Sequence, residues 1–381
     1  YLAITSRLLD NPVSVVVKGN SSGGKSFTTE KTIDFFPDDA VISMTAMSER
    51  ALVYSDEDYQ HRTLTLLEAT ALREGSQDDM TSYFVRTLLS EGRIEYKVTV
   101  KEDGQSTGKT IRQDGPTNII ITTTKTKVHA ENETRLLSLA IDDTREQTAR
   151  IFTALAVEDS ESVDLEEWHR LQSWLQTAEK RVSIPFAQKL AGMVPPVAIR
   201  LRRDFGQVLA LIRAHAILHQ ATRKRDGKGK IIATIGDYAK VRELVADIVS
   251  EGVGATVKQE VRETVDVIDR LVLTDSDGVM AKQIAEAMEL DKGTVSRRLR
   301  MAADDGYIRN LEDKRGRPGR WTTGDVMPEE LDMLPDPHTL ESSCNRATAQ
   351  PCTSGTATGP ASAGGCTVAR EFEGVMDNSQ T

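Results

Sequence analysis

Eight consecutive residues near the start of the chain have the types and spacing that bind phosphate. They are Gly19, Asn20, Ser21, Ser22, Gly23, Gly24, Lys25 and Ser26, which fit the pattern GxxxxGK[ST] in full. Glycines let backbone N–H groups curl around phosphate oxygens, the lysine supplies a positive charge, and the serine hydroxyl can ligate Mg²⁺. An apolar strand at Val13–Val17 precedes the motif and a helical pattern at Ser26–Phe35 follows it. The motif therefore predicts a nucleotide-binding domain.

A second candidate for nucleotide chemistry follows the apolar stretch Thr63–Leu67. Glu68 ends this predicted strand, where a carboxylate can hold Mg²⁺ or position the attacking water. Such strands usually end in an aspartate and a glutamate, but here Leu67 precedes the single glutamate. Either Glu68 positions the water while Ser26 holds the metal, or Glu68 holds the metal and the base lies elsewhere. A solvent-facing glutamate at a strand end is the alternative without chemistry.

Two further polar residues could act on the phosphates. Thr123 follows the predicted strand Asn118–Thr122, and its hydroxyl could contact a γ-phosphate or orient water, although threonines are also ordinary strand formers. Arg135 directly precedes the predicted strand Leu136–Ile141, from which an arginine could reach the γ-phosphate of a neighbouring subunit. An exposed arginine in a charged loop is the alternative.

The elements that position these residues alternate between short apolar strands and helical patterns, which is typical of an α/β sheet. The strand that Glu68 follows is bounded as Leu64–Leu67, and one more strand is predicted at Val41–Thr45. Helical periodicity then dominates at Leu165–Ala178, Phe205–His219 and Val241–Ser250. The last part is rich in Ser, Thr, Gly, Ala and Pro without periodicity. The predicted parts are an α/β core at 1–156, a helical region at 157–260, a small α+β unit at 261–328 and a disordered tail at 329–381.

The α+β unit contains two predicted helices joined by a short turn. The helices are Ala281–Leu290 and Thr294–Ala303, and a strand at Gly306–Leu311 and a basic, glycine-rich tip before Trp321 follow them. Apolar residues at helical spacing predict the seam between the two helices. They are Ala281, Ile284, Ala285, Leu290, Val295 and Leu299.

The order of the first parts resembles an AAA+ ATPase, with an α/β P-loop core followed by a helical lid. The α+β unit after the lid resembles a winged helix-turn-helix, and the disordered tail follows it. Five stretches are similar to the helicase-type ATPases of phages, plasmids and integrative elements, which are often joined to a primase and are distantly similar to MCM helicases. They are Met47–Leu52, Leu88–Ile94, Gly115–Thr117, Glu133–Ser138 and Arg202–Phe205. The resemblance covers about residues 1–325 and implies ATP, Mg²⁺, DNA and a homo-oligomeric ring.

A hairpin pattern runs through residues 93–113, with a turn at Asp103-Gly104. In the family that the chain resembles, a hairpin at this point projects into the central pore and grips DNA. The resemblance implies phosphate contacts from Lys97, Lys101, Lys109 and Arg112. A solvated hairpin with ordinary surface lysines is the alternative.

The resemblance to a winged helix implies a second set of DNA contacts. Thr294, Ser296, Arg297 and Arg298 would face the major groove, and the wing would contribute Lys314, Arg315, Arg317 and Arg320. Winged helices also mediate protein contacts. In the lid, Arg202 or Arg203 matches the family's nucleotide-sensing arginine; Arg203 is included among the expected nucleotide-binding residues. The pair His215 and His219 is expected to pack in the lid rather than hold a metal.

Charge and cysteine content limit the remaining possibilities. The net charge is −10, but residues 197–230 hold nine Lys or Arg against two Asp, and residues 290–320 hold nine against five acidic residues. An acidic protein with two basic segments can still bind nucleic acid. The cysteines Cys344, Cys352 and Cys366 form no CxxC pair, which favours a reducing, cytoplasmic setting. No apolar run is long enough for a membrane span, so no membrane partner is expected.

Together these features predict an ATP-dependent DNA motor, helicase-like and active in mobile-element replication. The alternative is a nucleotide-gated DNA-binding regulator or loader without sustained unwinding. A transcriptional regulator with a degenerate ATPase domain is less compatible with the intact phosphate motif. The chain begins at Tyr1, without methionine, and reaches that motif within twenty residues, so we expect a fragment or a processed product whose upstream domain is missing. A primase domain or partner is one possibility for that upstream part.

Overall fold

The fold centres on a five-stranded parallel sheet with helices on both faces. A computed structural model describes residues 1–67, 80–102, 105–124, 133–156, 163–254, 257–273, 278–312, 317–327 and 332–348. The first seven strands are β1 (Val15–Lys18), β2 (Val41–Met44), β3 (Thr63–Leu66), β4 (Arg93–Glu102), β5 (Gln105–Asp114), β6 (Asn118–Thr123) and β7 (Leu137–Ala140). The central sheet has the order β2-β3-β6-β1-β7. The predicted α/β class is confirmed for the central parallel sheet and its helices.

Each strand of the central sheet lies within two residues of its predicted bounds. The runs are β-branched and apolar because a parallel sheet is covered on both faces. Side chains alternate between those faces. Val15 and Val17 pack in one hydrophobic cluster, whereas Val16 packs in the other.

The helices that the structure describes in the first half precede, connect or follow the strands of the central sheet. They are α1 (Leu2–Thr5), α2 (Lys25–Ile33), α3 (Ala51–Tyr54), α4 (Met80–Glu91) and α5 (Arg145–Leu155), with short 3₁₀ helices at Ser6–Leu8 and Asp38–Ala40. Strands β4 and β5 pair with each other over their whole length as a separate antiparallel hairpin. The predicted hairpin is therefore confirmed as an element.

A helical layer packs on one face of the sheet and shares its hydrophobic cluster. It comprises α6 (Glu166–Thr177), α7 (Ala187–Met193), α8 (Leu201–Leu218) and α9 (Ile235–Gly254), with a 3₁₀ helix at Gln220–Thr222 and two short strands, β8 (Val182–Ser183) and β9 (Ile231–Ile232). Buried residues of β1 and α8, such as Val17 and Val208, belong to one continuous cluster. We call these four helices the lid.

The next unit has its own hydrophobic cluster and a three-stranded sheet in the order β10-β12-β11. Its elements are α10 (Gln259–Val272), β10 (Val279–Met280), α11 (Ala281–Met288), α12 (Lys292–Asp304), β11 (Ile308–Asn310) and β12 (Arg320–Thr323). The predicted seam is confirmed, since Ile284, Val295 and Leu299 are buried in this cluster. We call residues 257–327 the C-terminal unit.

The predicted disorder from residue 329 is wrong for part of the tail. Helix α13 (Pro337–Thr348) begins at an Asp336 carboxylate that accepts the backbone N–H groups of His338 and Thr339 at 2.9 and 3.2 Å. Leu340 is fully buried in the cluster that the lid shares with the sheet. The composition of the residues that follow obscured the helical pattern of this short amphipathic segment in the sequence. Residues 349–381 lie outside the described part of the chain.

Among the helices that the structure describes, none combines the length and the apolar character needed to cross a membrane.

Candidate functional site

The phosphate motif forms a tight loop between the end of β1 and the start of α2. Gly24 immediately precedes the helix with φ +85°, a left-handed conformation that favours glycine. At Gly23, an added Cβ would lie 3.1 Å from the backbone oxygen of Asn20. Side chains at these two positions would strain the loop or narrow it.

Lys25 is positioned inside this loop. Its side chain is buried, with 6% of the residue exposed, and its Nζ donates to the backbone oxygen of Asn20 at 2.5 Å. The Asn20 side chain in turn donates to Asp143 at 2.9 Å, which ties the loop to the segment after β7. The N-cap residue of α2 is Gly24, which has no side chain to cap the helix, so the first N–H groups of α2 are suited to an anion. The loop and Ser26 on the first turn of α2 fit the phosphates and the metal of a bound nucleotide.

Sheet order brings Thr123 beside this loop. Strand β6 lies between β1 and β3, and Thr123 at its end pairs with Lys18, the last residue of β1. Thr123 is buried at the loop's edge of the sheet. Strand β3 ends at Leu66, and Glu68, predicted to support hydrolysis, lies outside the described residues. Lys18 also forms an ion pair with Glu133, a contact that sequence reasoning missed.

Arg135 lies toward the opposite end of the sheet from the phosphate loop of its own chain. Two residues after it, Leu137 pairs with Val15, whereas the loop begins four residues further along, at Gly19. Four strand residues span about 13 Å. The Arg135 Nε donates to the Ser90 hydroxyl at 2.8 Å, and its carbonyl accepts from Gln207 at 3.0 Å. These contacts hold Arg135 between α4 and α8.

Four arginines line one cavity of about 480 Å³ at this end of the sheet, which we call the arginine cavity. They are Arg135, Arg202, Arg203 and Arg213, and none of the described residues around the cavity carries a carboxylate. Arg203 donates to the Thr134 hydroxyl at 2.6 Å, directly beside Arg135. The structure thus brings both candidate lid arginines to Arg135.

The neighbouring Arg200 behaves differently. It forms an ion pair with Asp204 at 3.1 Å, and both side chains are buried. Burial raises the pKa of the Asp204 carboxyl, while Arg200 acts in the opposite direction. This ion pair fixes the start of α8. Arg200 does not line the arginine cavity, which is lined by the other four arginines.

The hairpin β4–β5 distributes its cations over two faces. Lys97, Lys101 and Lys109 are exposed. Lys97 and Lys101 share one face, whereas Lys109 pairs with Val98 and therefore lies on the other. Arg112 forms an ion pair with Asp114 at 2.7 Å. The turn residues Asp103 and Gly104 lie outside the described residues.

Helix α12 begins with a side-chain cap and exposes a polar face. The Asp291 carboxylate accepts from the Thr294 backbone N–H at 3.0 Å and from its hydroxyl at 2.5 Å, so Thr294 serves the cap. Ser296 is exposed. Arg297 remains exposed beside Glu260 at 3.2 Å, whereas Arg298 pairs with Glu263 at 2.8 Å and its side chain is only 14% exposed. This ion pair therefore holds the Arg298 side chain against α10.

Sequence reasoning missed two cations on this helix. Lys292, Ser296 and Arg300 follow each other at four-residue spacing and are all exposed. That spacing places them on one helix face, and the helical repeat could have identified them. In the adjoining strand region Arg317 and Arg320 are exposed, while Lys314 and Arg315 lie outside the described residues.

The two lid histidines belong to a network around a buried carboxylate. Asp237 accepts from Arg223 and Thr234 and pairs with the His215 ring at 2.7 Å. Burial alone would raise the pKa of Asp237, but the hydrogen bonds from His215, Arg223 and Thr234 hold it below its usual range. The centroid of the His219 ring lies 4.5 Å from that of His215, with the two rings tilted by 40°, and burial lowers the pKa of His219. This network joins the end of α8 to the start of α9.

The arrangement offers a phosphate loop at one end of the sheet, an arginine cavity at the other, and two exposed basic elements. Comparison with known proteins adds no family to this description. No protein-family model matches the chain, and no curated protein sequence matches it.

Proposed function

We propose that the chain is an AAA+ ATPase that assembles into a homo-oligomeric ring and moves along DNA. It would resemble the MCM-like helicase ATPases of mobile elements and act in the replication of their DNA. The observation that carries this proposal is the placement of the phosphate loop and the arginine cavity at opposite ends of one sheet. A complete hydrolytic site then needs residues from two copies.

The position of the phosphate loop supports nucleotide binding. It lies at the carboxyl end of β1, which has β6 on one side and β7 on the other. Parallel α/β sheets bind their ligands in the crevice outside the carboxyl ends of the strands, where the strand order changes direction. A buried lysine and an uncapped helix N-terminus at this place favour a nucleoside triphosphate.

Each residue would have a distinct task in hydrolysis. Bound ATP with Mg²⁺ supplies the phosphoryl group and its electrophilic metal. Lys25 neutralises charge on the phosphates, Ser26 contributes a metal ligand, and Thr123 orients the terminal phosphate or water. Glu68 supports the attacking water or the metal. Arg135, with Arg202 and Arg203, would stabilise the developing charge on the nucleotide of the neighbouring copy.

Two elements support DNA as the partner. The hairpin carries exposed lysines on two ten-residue strands that form a sheet of their own, and α12 exposes Lys292, Arg297 and Arg300. Lysine and arginine contacts to phosphates give sequence-independent affinity. We assign the C-terminal unit as a winged helix on its two packed helices and antiparallel strands, with α12 as the helix that enters the major groove.

A specific observation keeps a second candidate function open. Leu67 occupies the position where an aspartate would add a second carboxylate before Glu68. A site with one carboxylate can bind ATP and hydrolyse it slowly. The chain would then be a nucleotide-gated DNA-binding regulator or loader.

ATP turnover and strand separation discriminate between the two. We would measure phosphate release with and without single-stranded DNA, and unwinding of a forked duplex, for wild type, Lys25→Ala and Lys31→Ala. Lys31 is a matched control because it lies on the same helix but is exposed and paired with Asp34. DNA-stimulated turnover and unwinding that depend on Lys25 alone are expected. ATP binding without turnover would overturn the motor and favour the loader.

A further inference from the structure

A second basic cavity lies beside the arginine cavity, and the proposed ATPase cycle does not use it. It measures about 420 Å³ and is lined by Asp10, His61, Lys180, Arg181, Arg213 and Lys230, among others. Four lysines or arginines therefore face one aspartate. We call it the basic cleft.

Topology forces the cations of the basic cleft together. Strands β8 and β9 are parallel and pair Val182 with Ile231, so Arg181 and Lys230 precede them side by side. Like charges on neighbouring strands repel. Arg181 forms an ion pair with Glu179 at 2.6 Å, which offsets this repulsion. Lys180, Lys230 and Arg213 form no ion pair with any residue that the structure describes.

This lack of partners contrasts with the rest of the surface. On an acidic protein, exposed cations commonly find a carboxylate, as in Lys31–Asp34, Arg170–Glu166 and Lys240–Glu243. Arg213 is half-buried, and burial lowers the pKa of its guanidinium. A partly desolvated cation without a carboxylate is costly unless an anion binds beside it.

The cleft is continuous with the other basic elements. Asn11 and Arg213 line both the basic cleft and the arginine cavity. His61 lines the cleft, and its backbone N–H donates at 2.8 Å to the carbonyl of Pro116, two residues after the end of the hairpin. Its ring Nδ1 donates to the Arg7 carbonyl at 2.8 Å. The cleft therefore lies at the same edge of the sheet as the base of the hairpin.

We propose that the basic cleft binds the phosphodiester backbone of a single-stranded nucleic acid, continuing the path of a strand held on the hairpin. No Phe, Tyr or Trp side chain lines the cleft among the described residues, so we expect the contacts to go mainly to phosphates and to carry no base specificity. The choice of nucleic acid over a smaller phosphate compound rests on the proposed function. The presence of an anion site rests on the unpaired cations alone.

Salt dependence of binding tests the proposal on the full chain. Binding of a fluorescent single-stranded oligonucleotide would be followed by anisotropy over a range of salt concentrations. The test variant is Lys180→Gln with Lys230→Gln, and the matched control is Lys224→Gln with Lys228→Gln, exposed lysines of the neighbouring segment outside the cleft. Loss of two phosphate contacts should reduce the slope of log affinity against log salt by about 1.4. Thermal unfolding of both variants checks that the fold is intact.

Lysine acetylation read by mass spectrometry gives a second, local measurement on the wild type. Protection of Lys180 and Lys230 by the oligonucleotide, but not by ATP or inorganic phosphate, is the expected result. Protection by ATP or inorganic phosphate without protection by the oligonucleotide would overturn the assignment to nucleic acid. An unchanged slope together with unprotected lysines would overturn the site itself.

Failure of this proposal and failure of the motor give different results. Protected lysines in a protein without Lys25-dependent turnover would leave the cleft standing and remove the motor. Lys25-dependent unwinding, with an unchanged salt slope in the double variant and unprotected lysines in the wild type, would remove the cleft and leave the motor.

Discussion

Mixing two inactive variants should restore ATP turnover, because Lys25 and Arg135 of one copy cannot meet at one nucleotide. Between the level of Leu137 and the start of the phosphate loop, the sheet spans about 13 Å, and Arg135 precedes Leu137. Its guanidinium is held toward α4 by Ser90 at 2.8 Å. In the proposed ring, Lys25 and Arg135 of one copy would therefore belong to different nucleotide sites.

The expected magnitudes follow from this geometry. Lys25→Ala removes the positive charge at the centre of the phosphate loop. If Arg135 acts in trans, Arg135→Ala should lower turnover by about 10³-fold or more. In a head-to-tail ring, each site combines Lys25 of one copy with Arg135 of the next. With equal, randomly mixed amounts of the two variants, about a quarter of the interfaces carry both intact residues. Turnover should rise to about that fraction of wild type.

Co-expression of the two variants with different tags ensures that mixed rings are assayed. Phosphate release is measured on protein purified through both tags. Arg150→Ala is the control: this exposed arginine lies on α5, away from the arginine cavity, and should retain turnover alone. Mixed rings that contain both variants and never exceed the activity of either one would refute the shared site.

Two further predictions concern the lid. Leu340→Ala should destabilise the docking of α13 by about 2–5 kcal/mol, because Leu340 is fully buried; urea unfolding measures this, with exposed Leu244→Ala as the near-neutral control. An unchanged urea midpoint would mean that α13 does not contribute to the lid. The lowered pKa of Asp237 means that its charged form stabilises the fold above its unfolded pKa of about 3.9 and that this contribution is lost as pH falls through the folded pKa. Wild type should therefore be more stable than Asp237→Asn at neutral pH, with the difference shrinking below about pH 4; a constant difference in thermal unfolding would contradict it.

Much of the sheet could be predicted because its signals are local. Strands such as Val15–Lys18 and Asn118–Thr123 are β-branched runs, and the glycine and lysine spacing at 19–26 describes a loop that closes on itself. The hairpin was visible in the alternation of residues 93–113. These features depend on neighbours in the chain.

The arginine cavity and the basic cleft depend on packing between distant segments. Arg203 meets Thr134 only because α8 packs beside the end of the sheet, and Arg181 lies beside Lys230 only through the pairing of β8 with β9. The same holds for Arg298, whose partner Glu263 lies on another helix. A basic residue in a sequence shows its charge but not which carboxylate will neutralise it.

The chain returns from the C-terminal unit to the lid, so both ends of that unit are anchored at the lid. The chain leaves α9 at Gly254, and after the unit it comes back to the same helix, where the Tyr238 hydroxyl donates to the Pro335 carbonyl at 2.5 Å and Arg242 to that of Leu334 at 2.9 Å. A module held at both ends has a high effective concentration next to its support. Even a contact of low intrinsic affinity between the C-terminal unit and the lid would then be occupied most of the time. If the unit binds DNA as proposed, a bound strand would thus remain within reach of the central sheet through repeated release and rebinding.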